Sequence, residues 1–447
     1  MAAGTRMLAF IGAHVGAALI WIASAAPAAA APGDLDGSFS GDGWVRTLEV
    51  RTETNNYLPE GAEDLALQPD GKIVAVGELE DGTSHWYFGA FRYLPGGGLD
   101  KSFGEGGWVD TDLGSFEFAH AVALQPDGKI VVAGEGDCEL ATCFVIVRYN
   151  EDGSVDSTFG GGDGVVRTMF AQCGCRAYDL AIQPNGKIVA AGWRFRYGDA
   201  LDDDLFAVAR YHPDGTLDRT FSRDGRVSVD LGFGDDIAHA VASLPGGKVL
   251  VAGQGTRNRY LTEDDFALAR FRNDGTLDPT FSGDGLRTIN FGGRRHDIVH
   301  SLDVQDDGRI LVAGSSSGEL EAHPRVAIAR LNPDGSLDDG FGRGGLRRFR
   351  PGPYGGYAGA VVQHPDGRVL VAGRRFVDAT HDPSDWIVLR YRRSGTLDPS
   401  FGGVGIVVTD FGTGADRVGA IDIQADGRIV VGGWIYESLG LARYLAG

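Results

Sequence analysis

The stretch Ala121-Val122-Ala123-Leu124-Gln125-Pro126-Asp127-Gly128-Lys129-Ile130-Val131-Val132-Ala133-Gly134 decides the fold. Two runs of apolar, largely β-forming residues flank Asp127-Gly128, and an Asp-Gly pair supplies the positive φ angles that a tight hairpin turn needs. The hairpin is one of seven. A second signature, Leu-Asp-x-x-Phe, recurs with its Phe at 39, 103, 159, 221, 281, 341 and 401, at spacings of 64, 56, 62, 60, 60 and 60 residues. A third ends a strand in Arg, at Arg92, Arg148, Arg210, Arg270, Arg330, Arg390 and Arg443. A fixed period of this length marks a repeat architecture.

Each repeat holds four short strands, of the types Ala-Val-Ala-Leu-Gln, Lys-Ile-Val-Val-Ala-Gly, Phe-Ala-Val-Ala-Arg-Tyr and Gly-x-Val-x-Thr, with no helical periodicity beyond the N-terminal segment. Four strands apolar on both faces suit the blade of a β-propeller, where each sheet packs between two others. The chain ends separate this fold from a linear solenoid. Trp44-Val45-Arg46-Thr47 is a fourth strand without a blade, and Leu441-Ala442-Arg443-Tyr444 is a third strand without a fourth. They complete one blade if the ring closes, which leaves no sheet edge exposed. The expectation is an all-β, seven-bladed propeller over residues 31–447. Each strand-ending Arg should pair with the Asp eight residues on, and Arg443 should take Asp36 across the closure.

These motifs, with Asp-Gly-Ser-Leu-Asp and Ala-Arg-Tyr beside them, resemble the delta-60 repeat family of bacterial β-propellers. Leu244-Pro245-Gly246-Gly247 departs from the Gln-Pro-Asp-Gly form. The resemblance implies a propeller and export. It carries no activity with it.

Residues 1–30 read as a secretory signal peptide: Arg6, an apolar run from Met7 to Ile22, then an Ala-rich cleavage region ending at Ala30. No second apolar span follows, so the expected product is a secreted, extracellular monomer free of the membrane. The formal charge of -20 argues against nucleic acid, because phosphate binding needs clustered cations. Cys138 with Cys143 and Cys173 with Cys175 are disulfide candidates in an exported chain; pairing within each duo is the default, and cross-pairing between the two loops is the alternative. No cofactor or metal motif is present. Asp202-Asp203-Asp204 and Glu263-Asp264-Asp265 could offer oxygen ligands to calcium, but they lack the spacing of a calcium loop and read as solvated charge runs.

The repeated turns fall on one face of the ring, and the unequal segments, such as 194–204, 255–265 and 374–385, fall on the other, where binding is usually placed. On that face Glu63, His120, Tyr178, His239 and His300 open the innermost strands, with Gly359 and Gly419 in the last two blades. Trp193 and Trp434 follow the second strands. The reading is a binding module for a glycan, peptide or protein, with no catalytic residue assigned. The alternative is an extracellular hydrolase or lyase that works through the His and carboxylate groups at the channel mouth. The bland reading, polar groups satisfying backbone at a wet strand end, stands beside both.

Overall fold

The computed structural model describes residues 30–51, 56–81, 85–114, 117–138, 141–170, 174–195, 203–232, 234–255, 263–318, 323–381, 383–412, 414–436 and 438–447. The strands form seven antiparallel sheets. Blade 1 comprises Asp64–Leu67, Ile73–Glu80, Trp86–Tyr93 and Trp108–Thr111; blade 2, Phe118–Leu124, Ile130–Asp137, Thr142–Tyr149 and Val165–Thr168; blade 3, Cys175–Ile182, Ile188–Phe195, Asp204–Tyr211 and Arg226–Val229. Blade 4 comprises Ile237–Leu244, Lys248–Gly255, Asp265–Phe271 and Leu286–Ile289; blade 5, Arg295–Val304, Ile310–Gly318, Arg325–Leu331 and Leu346–Phe349; blade 6, Gly356–Gln363, Val369–Phe376, Ser384–Tyr391 and Ile406–Thr409. Blade 7 takes Arg417–Ile423, Ile429–Ile435 and Ser438–Tyr444 from the C-terminus and Trp44–Thr47 from the N-terminus. Trp44 pairs with Ala442 and Thr47 with Leu439, so the ring closes as the repeat phase requires.

The second and third strands of each blade are buried on both faces, as in Ile130–Asp137 and Phe144–Tyr149. A sheet packed between two others must be apolar on both sides, which is why these strands read as continuous runs of Val, Ile, Ala and Phe. Among the described residues there is no α-helix. The deviant turn Pro245–Gly247 forms a single 3₁₀ turn. Blade 1 also carries an extension: Asn56–Pro59 pairs with Val50–Arg51 and with the outer end of Ile73–Glu80.

Each strand-ending Arg joins its own blade to the next. Arg148 donates from Nε to Asp156 Oδ2 at 2.8 Å, its guanidinium lies 4.5 Å from the Phe159 ring centre, and Nη1 reaches the Pro213 carbonyl of blade 3. Arg92 reaches Glu151, Arg210 reaches Asn273, Arg270 reaches Pro333, Arg330 reaches Arg393 and Arg390 reaches Ala446, each a carbonyl in the following blade. The Arg–Asp pairs eight apart all form, and Asp36 answers Arg443. Thus the Leu-Asp-x-x-Phe signature is structural: its Asp holds the Arg and its Phe carries the guanidinium face.

Cys138 and Cys143 form a disulfide across the loop between the second and third strands of blade 2. This is the within-duo pairing, and it removes the cross-pairing alternative for these two. Cys173 lies outside the described residues. Cys175 is buried as the first residue of blade 3.

Candidate functional site

The innermost strands do not run straight into the mouth. In blades 2 to 7 the pairing of first and second strands shifts by one residue, and the residue left out of register is His120, Tyr178, His239, His300, Gly359 or Gly419. A β-bulge of this kind turns the extra residue out of the ladder and re-aims its side chain. The bulge explains the invariant Gly of the second strand. A Cβ placed on Gly134 would lie 1.9 Å from the Phe118 carbonyl oxygen, and the same carbonyl approach recurs at Gly77, Gly192, Gly253, Gly314, Gly373 and Gly433. In blades 2 to 5 the bulge aims one side chain at the axis, and in blades 6 and 7 its residue is glycine.

Those side chains meet. Glu63, His120, Tyr178, His239 and His300 line one cavity of about 240 Å³, floored by Asp64, Asp179 and Ser301. The ring centres of His120 and Tyr178 are 5.2 Å apart, Tyr178 and His239 5.3 Å in a stacked arrangement, His239 and His300 5.9 Å, and His300 and Tyr357 5.5 Å. An unbroken aromatic wall thus spans blades 2 to 6. On the blade 1 side the wall is acidic, with Glu63 and, behind it, Glu78, while blade 7 brings the charge of Arg417 to bear on Glu63.

Trp193 stands behind this wall. Its Nε1 donates to the Tyr178 hydroxyl at 3.3 Å, and Arg176 lies 5.5 Å from its ring centre. Arg176 in turn pairs with buried Glu135 at 2.8 Å. Trp434 does not line the cavity; its indole packs over the α-carbon of Gly61. Tyr357 completes the wall where Gly359 supplies no side chain, with Arg374 over its face at 4.5 Å.

The electrostatics of the mouth follow from crowding. Burial pulls the His239 imidazole down to about 4, against a hydrogen bond with Gln254. Burial, with His239 and Arg374 nearby, pulls His300 down to about 3. Both rings are neutral near pH 7 and can accept a proton. Carboxyls move the other way. Burial and then the charge of Glu78 push Glu63 well above the usual range, and burial with Glu60 and Glu135 lifts Glu78 to about 7.

Below the mouth, carboxylates cap the neighbouring blade. Asp64 accepts the Val122 N–H at 2.8 Å, Asp179 the Val241 N–H at 2.6 Å and Asp303 the Gln363 N–H at 2.7 Å, while Asp422 bonds the Leu67 backbone. Blades 1, 3, 5 and 7 supply these groups to blades 2, 4, 6 and 1. Ala121, Ala240 and Ala360 stand at the position of Asp64 in the receiving blades 2, 4 and 6. This alternation went unread in the sequence, although the Asp residues were visible there.

The acidic runs are only partly solvated. Asp203 and Glu263 are buried, and Asp204 and Asp264 accept backbone hydrogen bonds from Asp236 and Asp297 of the next blade. Asn290 also donates to Asp265 at 2.6 Å. Their place at the start of a third strand, against the neighbouring link, buries what the sequence presents as a charged loop; Asp202 lies outside the described residues.

The profile of a family described as "Domain of unknown function (DUF5122) beta-propeller" matches residues 68–103, 125–159, 183–221, 244–281, 305–341, 364–401 and 424–447. The chain belongs to the DUF5122 propeller family. The first six matched segments run from the hairpin turn to the Phe of the next Leu-Asp-x-x-Phe and the seventh from the hairpin turn to Gly447, so the DUF5122 repeat is the structural stitch and leaves out the bulge residues of the mouth. A comparison with curated proteins finds no match. Among solved structures this DUF5122 chain is similar to the WD40 propeller domain of Doa1, with 13% identity, 91% of this chain and 98% of that one covered, and a TM-score of 0.46. Virginiamycin B lyase from Staphylococcus aureus gives 10% identity, 90% and 99% coverage and 0.46. Polysaccharide lyase Uly1 gives 10%, 86% and 90%, and 0.48. Identities this low speak to fold alone.

Proposed function

We propose that this propeller is an exported recognition module of the delta-60 type that binds a saccharide chain at the channel mouth. The carrying observation is the aromatic wall from His120 to Tyr357 around a polar cavity. Aromatic faces beside hydroxyl, imidazole and carboxyl groups match a sugar ring, which offers C–H faces and a rim of hydroxyls. The cavity is smaller than the ~300–1,000 Å³ of typical small-molecule sites, so it accepts one residue of a chain whose remainder crosses the variable loops. Export is supported by the N-terminal apolar segment and by the Cys138–Cys143 disulfide. A glycan array probed with the secreted protein tests the reading: binding to a defined saccharide that is lost in Tyr178→Ala supports it. A protein that binds only peptides or proteins, with Tyr178→Ala unaffected, overturns it.

A second reading is favoured by one observation. Tyr178 sits between two imidazoles, and His239, stacked on it, is held neutral at neutral pH. An imidazole and a phenol side by side at the mouth are groups that a hydrolase or lyase can bring to bear on a bound substrate. Turnover of a saccharide bound at the mouth, abolished in His239→Ala with binding retained, would establish this reading over simple recognition.

A further inference from the structure

Glu63, Glu78 and His120 each present one ligand atom at the mouth, and the three atoms lie within 4.8 Å of one another. They come from two blades. Glu63 immediately precedes the inner strand of blade 1, Glu78 lies on the second strand of the same blade, and His120 is the bulge residue of blade 2. All three are largely covered by protein.

The groups are not satisfied by the protein around them. No hydrogen bond to the Glu63 or Glu78 carboxyl group is found among the described residues, and the positive charge of Arg417 acts on Glu63 from blade 7. His120 Nε2 is buried without a hydrogen bond, and the nearest carboxylate oxygen, Glu135 Oε1, is 3.7 Å away, beyond hydrogen-bond range. Glu135 is itself neutralised by Arg176 at 2.8 Å. Buried polar atoms in folded proteins almost always have a partner, and His120 Nε2 lacks one. Two adjacent carboxyl groups facing an imidazole nitrogen form a donor set that suits a bound cation. We infer that Glu63, Glu78 and His120 form a binding site for a first-row divalent transition metal at the channel mouth.

The donor set narrows the ion. Calcium and magnesium take oxygen ligands, whereas imidazole with carboxylate suits zinc, manganese or iron(II). Bonds of ~2.1 Å hold two ligands of one ion at most ~4.2 Å apart, so the side chains need close by only a few tenths of an ångström. Three protein ligands leave coordination positions open. Those positions face the cavity, where water or a hydroxyl or carboxylate oxygen of a bound ligand can fill them. The inference stands on the three side chains and does not depend on the saccharide reading.

The test is a calorimetric titration of chelator-treated, full-length secreted protein with Zn²⁺ alone, repeated with Mn²⁺ and Ca²⁺. His323 Nδ1 and His381 Nε2, 3.1 Å apart, and the cluster of His85, Asp112 and Glu117 are competing sites, so the titration uses a His85→Ala/His323→Ala/His381→Ala background. One equivalent of Zn²⁺ should bind, Ca²⁺ should not compete, and Glu78→Gln and His120→Ala should each weaken binding at least about tenfold. Absence of stoichiometric Zn²⁺ binding overturns the inference, as does binding unchanged in both variants. If a variant fails to fold, anomalous diffraction from wild-type crystals soaked in Zn²⁺ decides: a peak between the three side chains supports the site, and a peak only elsewhere refutes it.

Discussion

Arg443 donates from Nε to Asp36 Oδ2 at 2.8 Å across 407 residues of sequence, and the same guanidinium reaches the Pro95 carbonyl of blade 1. Both ends of the chain and the next blade thus meet at one buried cation. The Arg443 and Asp36 side chains are only 4% and 8% exposed. Burial alone would raise the Asp36 carboxyl, but Ser38, Arg443 and Arg428 together hold it below the ordinary range. Removing one partner of such a pair leaves a buried charge uncompensated, at a cost of about 3–5 kcal/mol. Asp36→Ala should lower the melting temperature and accelerate amide exchange in Trp44–Thr47 and Ser438–Tyr444 before other blades. Unchanged melting and uniform exchange would mean that this pair does not hold the ring shut.

A second tie shows how one repeat differs from another. The Tyr211 hydroxyl bonds Thr168 Oγ1 of the preceding blade at 2.8 Å, and Tyr93–Thr47, Tyr149–Thr111 and Tyr444–Thr409 repeat the contact. Blades 4 and 5 replace both partners with apolar residues, as Phe271 with Val229 and Leu331 with Ile289. In blade 6 the exchange is half made: Tyr391 keeps its hydroxyl, Phe349 stands where the Thr would be, and the hydroxyl is buried without a partner. Tyr391→Phe should therefore leave stability unchanged or raise it, whereas Tyr211→Phe should cost about 1 kcal/mol. Denaturant melts of the two variants compare them directly, and equal losses would contradict the assignment.

The strand count, the closure and the Arg–Asp pairs were legible in the sequence because each depends on residues that recur at fixed spacing. The bulge was not, because a ladder shift leaves no change in composition; its trace is the Gly opposite it, which reads as an ordinary strand end in Val132-Ala133-Gly134. That Gly gives a direct test. A Cβ at 134 would meet the Phe118 carbonyl at 1.9 Å and the Phe88 ring at 3.0 Å. Forcing extra volume into a packed interior costs typically about 1–3 kcal/mol. Gly134→Ala should reach or exceed that figure and disturb His120, while Gly161→Ala, which meets no atom within 4 Å, controls for a glycine whose cost is conformational only. Equal losses at the two positions would remove the steric account.

The carboxyls under the mouth set a pH dependence. Burial, then the charge of Asp64, raises Asp179 to about 8, and burial lifts Asp422 to about 6. An unfolded Asp titrates near ~3.9, so between about pH 4 and 8 the folded state binds more protons than the unfolded one, and stability falls as pH rises. The depressed carboxyls of the Arg pairs act in the opposite sense at lower pH: Asp100, held at about 2 by Ser102, Lys72 and Arg92 against burial, loses its contribution only as the medium is acidified from about pH 4 toward 2. His239 and His300, held at about 4 and about 3, oppose this below about pH 6.5, where unfolded imidazoles take up protons and the folded ones do not. The melting temperature should therefore decline from about pH 6.5 toward about pH 8. Asp179→Asn should flatten the decline whatever it does to the overall level, and a slope unaltered in that variant would show that Asp179 does not titrate in this range.

The last prediction separates recognition from scaffolding. The face carrying the Asp-Gly turns is built from Arg–Asp–Phe stitches that nearly repeat around the ring, so it offers a ligand little that distinguishes one blade from another. The mouth changes around the ring, from Glu63 through His and Tyr to Gly, and its imidazoles and Tyr178 are aimed inward by bulges rather than packed between sheets. Tyr178 and His239 stack on each other over the cavity, and neither belongs to the buried apolar clusters between blades. His239→Ala should thus change the melting temperature little, yet weaken a mouth ligand about tenfold, which corresponds to ~1.4 kcal/mol. Lys129→Ala on the turn face should do the reverse, because Lys129 Nζ holds buried Asp156 at 2.7 Å and lies far from the mouth. If a ligand is found whose affinity survives His239→Ala and Tyr178→Ala but falls with Lys129→Ala in a protein that remains folded, recognition belongs to the turn face instead.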